Sequence, residues 1–264
     1  MEIIIENCSS PGAHFSKNTN LVMLKIYHWI LSNNNPELPF IEFRRRLEKE
    51  EKINDNNARN IYPLLKNGGV VEYQAGADLE TASFFTRRGL AYLKALETKE
   101  LIEQDESYSK KQKTEAGEQV DEILGNIVYD SIELLIENKK LNYSQSLKWY
   151  LLFLSRFRKI NKQEFAIMIH TMNTNENNWE QELTPLIEKY RKQEIEITVK
   201  VRVRNDQKIQ QSSGERTRLE DISFFTAYSY FSSLIDQAGL TRKVKDYHCV
   251  VENGAEKIDY LVEV

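Results

Sequence analysis

Asn56, Asn57, Arg59 and Asn60 fall within five consecutive residues. Asparagine offers a donor beside an acceptor and arginine a fork of N–H donors, the pairings that recognise adenine and guanine edges in a major groove. A helix beginning at Asn54 or Asp55 carries all four in its first two turns. A plainer role competes, since asparagine also caps helix starts. Asn54 fits the cap, and Arg59 fits the groove.

Cations surround this segment. Arg44, Arg45 and Arg46 occupy the preceding helix and serve either as backbone contacts or as a solvated face. Arg87 and Arg88 open a later helix, where positive charge opposes the macrodipole and calls for a nearby anion. A nucleic-acid phosphate meets that need, as does solvent together with Glu80. Farther on, Ile195, Ile197, Val199, Val201 and Val203 alternate with polar residues, the period of a strand. Its polar face spaces Lys200, Arg202 and Arg204 at about 6.6 Å, from a rise of roughly 3.3 Å per residue. Such a row follows a phosphate backbone or simply faces water.

Other chemistries find no support. His14, His28, His170 and His248 are scattered without ligand spacing or a nucleophile partner, so no zinc site or catalytic residue is expected. Gly68-Gly69 lacks the surroundings of a phosphate loop. Asp259 and Glu263 resemble fragments of a magnesium-binding nuclease strand, but the lysine that completes the pattern is missing. They are expected in a final strand. Cys8 and Cys249 are the only cysteines, which argues against a disulfide framework.

The elements that position these residues follow from periodicity. Apolar helices are expected at Asn20–Ser32, capped by Asn20, then from Phe40 and from Asn54 or Asp55, the last containing Pro63 as a kink and ending at Gly68-Gly69. Val70–Gln74 and Ala82–Phe85 are expected to form a hairpin turning near Gly76, followed by a helix from Thr86. The second half follows a similar plan, with helices at Ser144–Lys159 capped by Ser144, after Asn161, from Trp179 and at Leu219–Gln237. A hairpin turning at Asn253-Gly254, with strands at His248–Val251 and Lys257–Val264, is expected to close the chain. Between the halves, residues 99–119 are too polar to present a core face and are expected to hold a hinge, with a connector helix after it.

Three helices, a hairpin and a closing helix describe a winged helix of the helix-turn-helix type. The expected fold is therefore mainly α with small β-hairpins (α+β), two such domains at 1–98 and 143–264 joined by a linker and connector helix at 99–142. With 264 residues, the size suits two domains. The net charge of -4 conceals balances of 0 over residues 1–100, -5 over 101–142, +5 over 143–218 and -4 over 219–264. Local field, not the sum, governs phosphate binding. No apolar run is long enough to span a membrane, no signal peptide is expected at Glu2–Asn7, and a cytoplasmic location follows.

Three segments together resemble the DNA-recognition region of type IIS restriction and nicking endonucleases. They are Arg59–Val71 (including Lys66) with Phe85–Leu93, Leu151–Ile169 with Lys162, Glu164 and Phe165, and Ile222–Thr241 ending Ala-Gly-Leu-Thr. The resemblance implies binding to an asymmetric site on double-stranded DNA by both winged helices. By position it adds Arg216, Arg218, Ser223 and Thr226 as second-half base-reading candidates. Family members continue into a metal-dependent nuclease domain, so Mg2+ and a nuclease domain or subunit are implied only as attachments to this chain. The competing reading is a regulatory or protein-interaction winged helix, such as a transcriptional regulator or a defence-system adaptor.

Overall fold

The computed structural model describes residues 2–6, 8–33, 38–53, 55–72, 78–79, 84–174, 178–202 and 216–263, with main chain alone at 4–6, 38–40, 55–59, 78–79, 200–202 and 216–223. Among them are ten helices and seven short strands, so the protein is mainly helical. The chain divides into two compact units: an amino-terminal unit of Pro11–Asn138 with Ser233–Gly239, and a carboxy-terminal unit of Met1–Ser10, Lys139–Ser232 and Leu240–Val264.

In the amino-terminal unit, α1 spans Lys17–Ser32 and buries Val22, Met23, Ile26, Trp29 and Ile30 at three- and four-residue spacing. Its cap is Ser16, whose hydroxyl accepts from the Thr19 amide at 3.1 Å. Asn20, expected as the cap, instead lies inside the helix and accepts a 3.0 Å hydrogen bond from the Tyr92 hydroxyl. A short strand, β2 (Leu38–Pro39), leads into α2 (Phe40–Glu51) and α3 (Asp55–Asn67). Trp29 of α1 meets Phe43 of α2 edge-on at 5.3 Å, and Phe43, Leu47, Leu64 and Phe84 are at most 1% exposed. Pro63 lies inside α3 without dividing it.

Gly69, at φ +69°, turns the chain out of α3, a left-handed conformation that glycine adopts without a Cβ clash. Val71 then pairs with Phe85, and the Glu72 amide donates to the Phe84 carbonyl at 2.9 Å. These bonds begin the expected hairpin, whose turn near Gly76 lies outside the described residues. Sequence periodicity missed a second pairing, of β2 with β3 (Asp78–Leu79), antiparallel. Helix α4 (Arg87–Gln104) is capped by Thr86, which accepts from the Gly89 amide at 3.0 Å. After Asp105–Ser109 comes α5 (Lys110–Glu137), started by a capping box between Ser109 and Gln112.

Residues 99–119 are therefore mostly helical rather than a hinge. The Lys99 ammonium pairs with Asp121 at 2.5 Å and Lys113 donates to the Glu103 carbonyl at 2.8 Å, tying α4 to α5 through polar side chains. A capped helix whose charges pair with its neighbour needs no apolar face at its tip.

The carboxy-terminal unit contains β1 (Glu2–Glu6), α6 (Ser144–Phe157), β4 (Lys159–Ile160), α7 (Lys162–Thr174), α8 (Trp179–Arg191), β5 (Thr198–Arg202), most of α9 (Arg216–Gln237), β6 (Thr241–Val244), β7 (Tyr247–Val250) and α10 (Gly254–Glu263). β1 and β5 run parallel in register from Glu2 opposite Thr198 to Glu6 opposite Arg202. The alternating strand is thus present, over a shorter span than expected, with a partner at the other end of the chain. The capping residue of α6 is Tyr143 rather than Ser144, which is buried as the first helical residue. Phe165 packs against Phe224 at 5.0 Å and Tyr228 at 5.5 Å, joining α7 to α9.

The final hairpin differs from expectation. It is formed by β6 and β7, turning at Lys245-Asp246, and β7 also pairs with β4 to give the antiparallel order β4-β7-β6. Asn253-Gly254 is no hairpin turn but the start of α10, where Ile258 and Leu261, three residues apart, are both fully buried. Asp259, expected in a strand, lies on this helix and accepts from the Ser155 hydroxyl at 2.6 Å.

Two glycines permit the closest backbone approaches. A Cβ on Gly89 would lie 2.0 Å from the Val70 carbonyl oxygen, and one on Gly254 would lie 2.4 Å from that of Leu240. Gly117, in α5, has open space. Gly89→Ala and Gly254→Ala are each expected to destabilise by at least about 1–3 kcal/mol through overpacking. Gly117→Ala should instead stabilise by roughly 0.5–1 kcal/mol. Urea unfolding of the three variants checks this, and equal behaviour of all three would contradict the packing described.

Candidate nucleic-acid interface

The end of α3 and the start of α4 meet through Thr86, whose hydroxyl donates to the Gly69 carbonyl at 2.7 Å. That bond brings the last turn of α3, with Lys66 exposed, beside Arg87 and Arg88. Arg87 is exposed, whereas the Arg88 guanidinium lies 3.5 Å from Asp130 of α5. Asp130 is thus the anion that the start of α4 required, supplied by the protein. Sequence spacing gave no sign of it, because the pairing depends on how α5 packs. Lys66, at the negative end of α3, is favourably placed by the helix dipole.

Asn60 is exposed on α3, one turn before Pro63 on the same exposed side. Asn56, Asn57 and Arg59 occupy the first turns of α3 by main chain, and their side chains lie outside the described residues. On α2, Arg45 is exposed, Arg44 is partly buried, and Arg46 pairs with Glu42 one turn earlier at 3.2 Å. Arg46 is therefore partly neutralised within its own helix.

In the carboxy-terminal unit the candidates are spread out. Thr226 is half-buried on α9, and Arg216, Arg218 and Ser223 belong to the same helix with side chains outside the described residues. Lys200 and Arg202 lie in β5, again by main chain alone, while Arg204 is outside the described residues. The row of three cations therefore rests on strand spacing for its first two members.

One buried carboxylate is held by its neighbours. Glu164 is fully buried, with its Oε1 accepting from Arg191 Nε at 2.7 Å and its Oε2 accepting from the Asn161 amide at 3.3 Å. The Asn161 side chain in turn accepts from the Glu164 amide at 2.9 Å, completing a capping box at the start of α7. Burial raises the Glu164 carboxyl above its ordinary range, with Arg191 pulling the other way. Arg191 also donates to the Lys159 carbonyl at 2.9 Å, so one guanidinium ties α8 to α7 and β4. The Cys8 thiol is pushed up to about 11 by burial, which suppresses thiolate reactivity. Among the described residues, no three His, Cys, Asp or Glu side chains assemble as metal ligands would, and no helix is long and apolar enough to cross a membrane.

A cavity of about 610 Å³ in the amino-terminal unit has an apolar lining that includes Phe15, Leu24 and Leu96, with the Lys99–Asp121 pair also bordering it. It is separate from the α3–α4 junction in its lining residues. Comparison with protein-family models, with curated proteins and with solved structures gives no match.

Arg191→Ala leaves the Glu164 carboxylate buried without its countercharge. A loss of about 3–5 kcal/mol is expected at neutral pH. Because the folded-state pKa of that carboxyl then lies above the unfolded value, the loss should shrink as pH falls and the group protonates. Denaturant titrations of the variant at neutral and mildly acidic pH test this; a loss independent of pH would assign the role of Arg191 to packing alone.

Proposed function

We propose that the protein binds double-stranded DNA in a sequence-specific manner through two winged-helix units, as the recognition module or specificity subunit of a restriction or nicking endonuclease, with the chemistry of cleavage supplied elsewhere. The observation that carries this reading is a shared order of elements. In each unit a helix is followed by a short strand, further helices, an antiparallel pairing (Val71 with Phe85, β6 with β7) and a closing helix; the short strand pairs with β3 in the amino-terminal unit and with β7 in the carboxy-terminal one. This order supports the winged-helix expectation, with α8 and β5 standing as an insertion in the carboxy-terminal unit.

On this reading α3 enters the major groove, with Arg59 and Asn60 directed at base edges and Asn56 and Asn57 beside them. Lys66 and Arg87, exposed at the α3–α4 junction, contact phosphates. Arg45 is a further backbone contact. Arg88 is held by Asp130, so its part is to position the junction. Pairing of Arg46 with Glu42 and Arg88 with Asp130 favours a second reading, in which the same surface contacts a protein and needs fewer free cations.

Salt separates the two, since phosphate binding weakens steeply as ionic strength rises. Selection from a randomised duplex pool, followed by gel shifts at two salt concentrations, is expected to enrich one asymmetric sequence and to show weaker binding at high salt. Arg59→Ala should relax discrimination among duplexes, whereas Arg87→Ala should weaken all duplexes equally and lower the salt slope by about 1. Absence of both enrichment and salt sensitivity would overturn the DNA reading in favour of the protein contact.

A further inference from the structure

The end of α3 and the end of α9 match residue for residue when Gly69 is set against Gly239. Both glycines have φ +69°. Leu64 and Leu234, Leu65 and Ile235, and Val70 and Leu240 are buried at equivalent places, while Pro63, Ser233, Lys66 and Asp236 are not. The Gly69 amide donates to the Lys66 carbonyl at 3.0 Å and the Gly239 amide to the Asp236 carbonyl at 2.9 Å.

The match continues across hairpins of different length. Val71 pairs with Phe85, and Thr241 with Val250. The next amide, of Thr86 or Val251, donates to the carbonyl of Val70 or Leu240 at 3.1 Å in both places. Three residues later stands the glycine, Gly89 or Gly254, that packs on the same carbonyl. Leu93 and Ile258 then occupy equivalent buried positions in α4 and α10. Chance similarity of one turn would not reproduce the left-handed glycine, the shared carbonyl and the closing glycine in the same order.

We infer that β6 and β7 form the second copy's wing, and that Arg242, Lys243 and Lys245 are its contacts to the phosphate backbone of duplex DNA. This rests on the DNA reading above and extends it to residues outside its candidate set. All three cations are exposed, on a strand and at the tip that follows it. Strand register sets Arg242 across from Cys249 and Lys159 on the outer face of the sheet, where the Lys159 ammonium lies 4.7 Å from the centre of the Tyr247 ring. Lys243 stands in the row of His248 and Ile160, both buried, and reaches solvent from the sheet edge. Asp246 is the one acidic residue in the hairpin itself, set at the turn beside Lys245. The net positive charge of this hairpin complements a polyanion.

The equivalence also assigns the helix. Ser229 takes the place of Arg59 and Tyr230 that of Asn60, with Ser229 exposed and Tyr230 half-buried. A serine hydroxyl pairs with several base edges and discriminates little among them. The second copy therefore contributes affinity along the backbone more than choice of sequence.

The test uses the full chain, with the pool-selected duplex and a scrambled duplex of the same length as probes, and fluorescence anisotropy between about 50 and 200 mM salt. The triple variant Arg242→Gln, Lys243→Gln and Lys245→Gln is expected to weaken both duplexes by the same factor and to lower the slope of log affinity against log salt by about 2–3. A charge-preserving Arg242→Lys variant should bind as wild type, and unchanged thermal unfolding of the triple variant shows that it folds. Wild-type affinity and slope in the triple variant would overturn the wing assignment while leaving the DNA reading intact. A wild-type chain that binds neither duplex would overturn both.

Discussion

The Val70 carbonyl oxygen fixes the geometry of the amino-terminal unit's exposed junction. It accepts the Thr86 amide at 3.1 Å and lies within 3.2 Å of the Thr86 hydroxyl, while Gly89 comes so close that any side chain there would collide with it. One oxygen thereby sets where the hairpin closes, where α4 begins and how far α4 stands from the end of α3. The Leu240 carbonyl likewise accepts the Val251 amide and is crowded by Gly254 at the start of α10, without a hydroxyl beside it. Main-chain contacts thereby place the backbone of these junctions, which leaves their exposed side chains free to vary without loss of the scaffold.

Electrostatics within each unit works at short range. Asp130 answers the charge of Arg88, Glu42 that of Arg46 and Asp259 that of Arg158. These pairs are partly exposed and contribute little to stability, about 0–1 kcal/mol each. Their larger effect is to decide which cations remain available to an outside anion. The Glu164–Arg191 pair differs because its carboxylate is fully buried. There the guanidinium organises carbonyls from the end of α6 and from β4, so the ion pair acts as a joint between α7 and α8.

Helices were legible in the sequence where a buried stripe ran at helical spacing, as in Leu147, Tyr150, Leu151 and Leu154 of α6. Elements whose identity depends on distant partners were not. β1 is five residues long and pairs with a strand almost two hundred residues away, so no local period marks it. Asn253-Gly254 carries the composition of a tight turn, but the glycine is there because Leu240 occupies the space a Cβ would need. Polar composition at 99–119 suggested a hinge, although pairing with a neighbouring helix and a capping box suffices to order such residues. For the candidate site, residue types around Arg59 and Arg87 pointed to an anionic partner, whereas the anion already held by Arg88 required knowledge of α5. Arg242, Lys243 and Lys245 of the β6–β7 hairpin escape a sequence reading that sets that hairpin one element too late.

The capped start of α5 has a consequence for how the protein can be extended. Its 28 residues extend about 42 Å at 1.5 Å per residue, and the first ten carry no buried side chain. Ser109 and Gln112 close the helix end on themselves, leaving Asp105–Ser109 exposed and free of core contacts. A chain break or a foreign domain inserted there meets no packed surface and removes no buried hydrogen bond. The loop is thus a natural graft point, where an effector domain or a fluorescent reporter can be added without disturbing either hairpin.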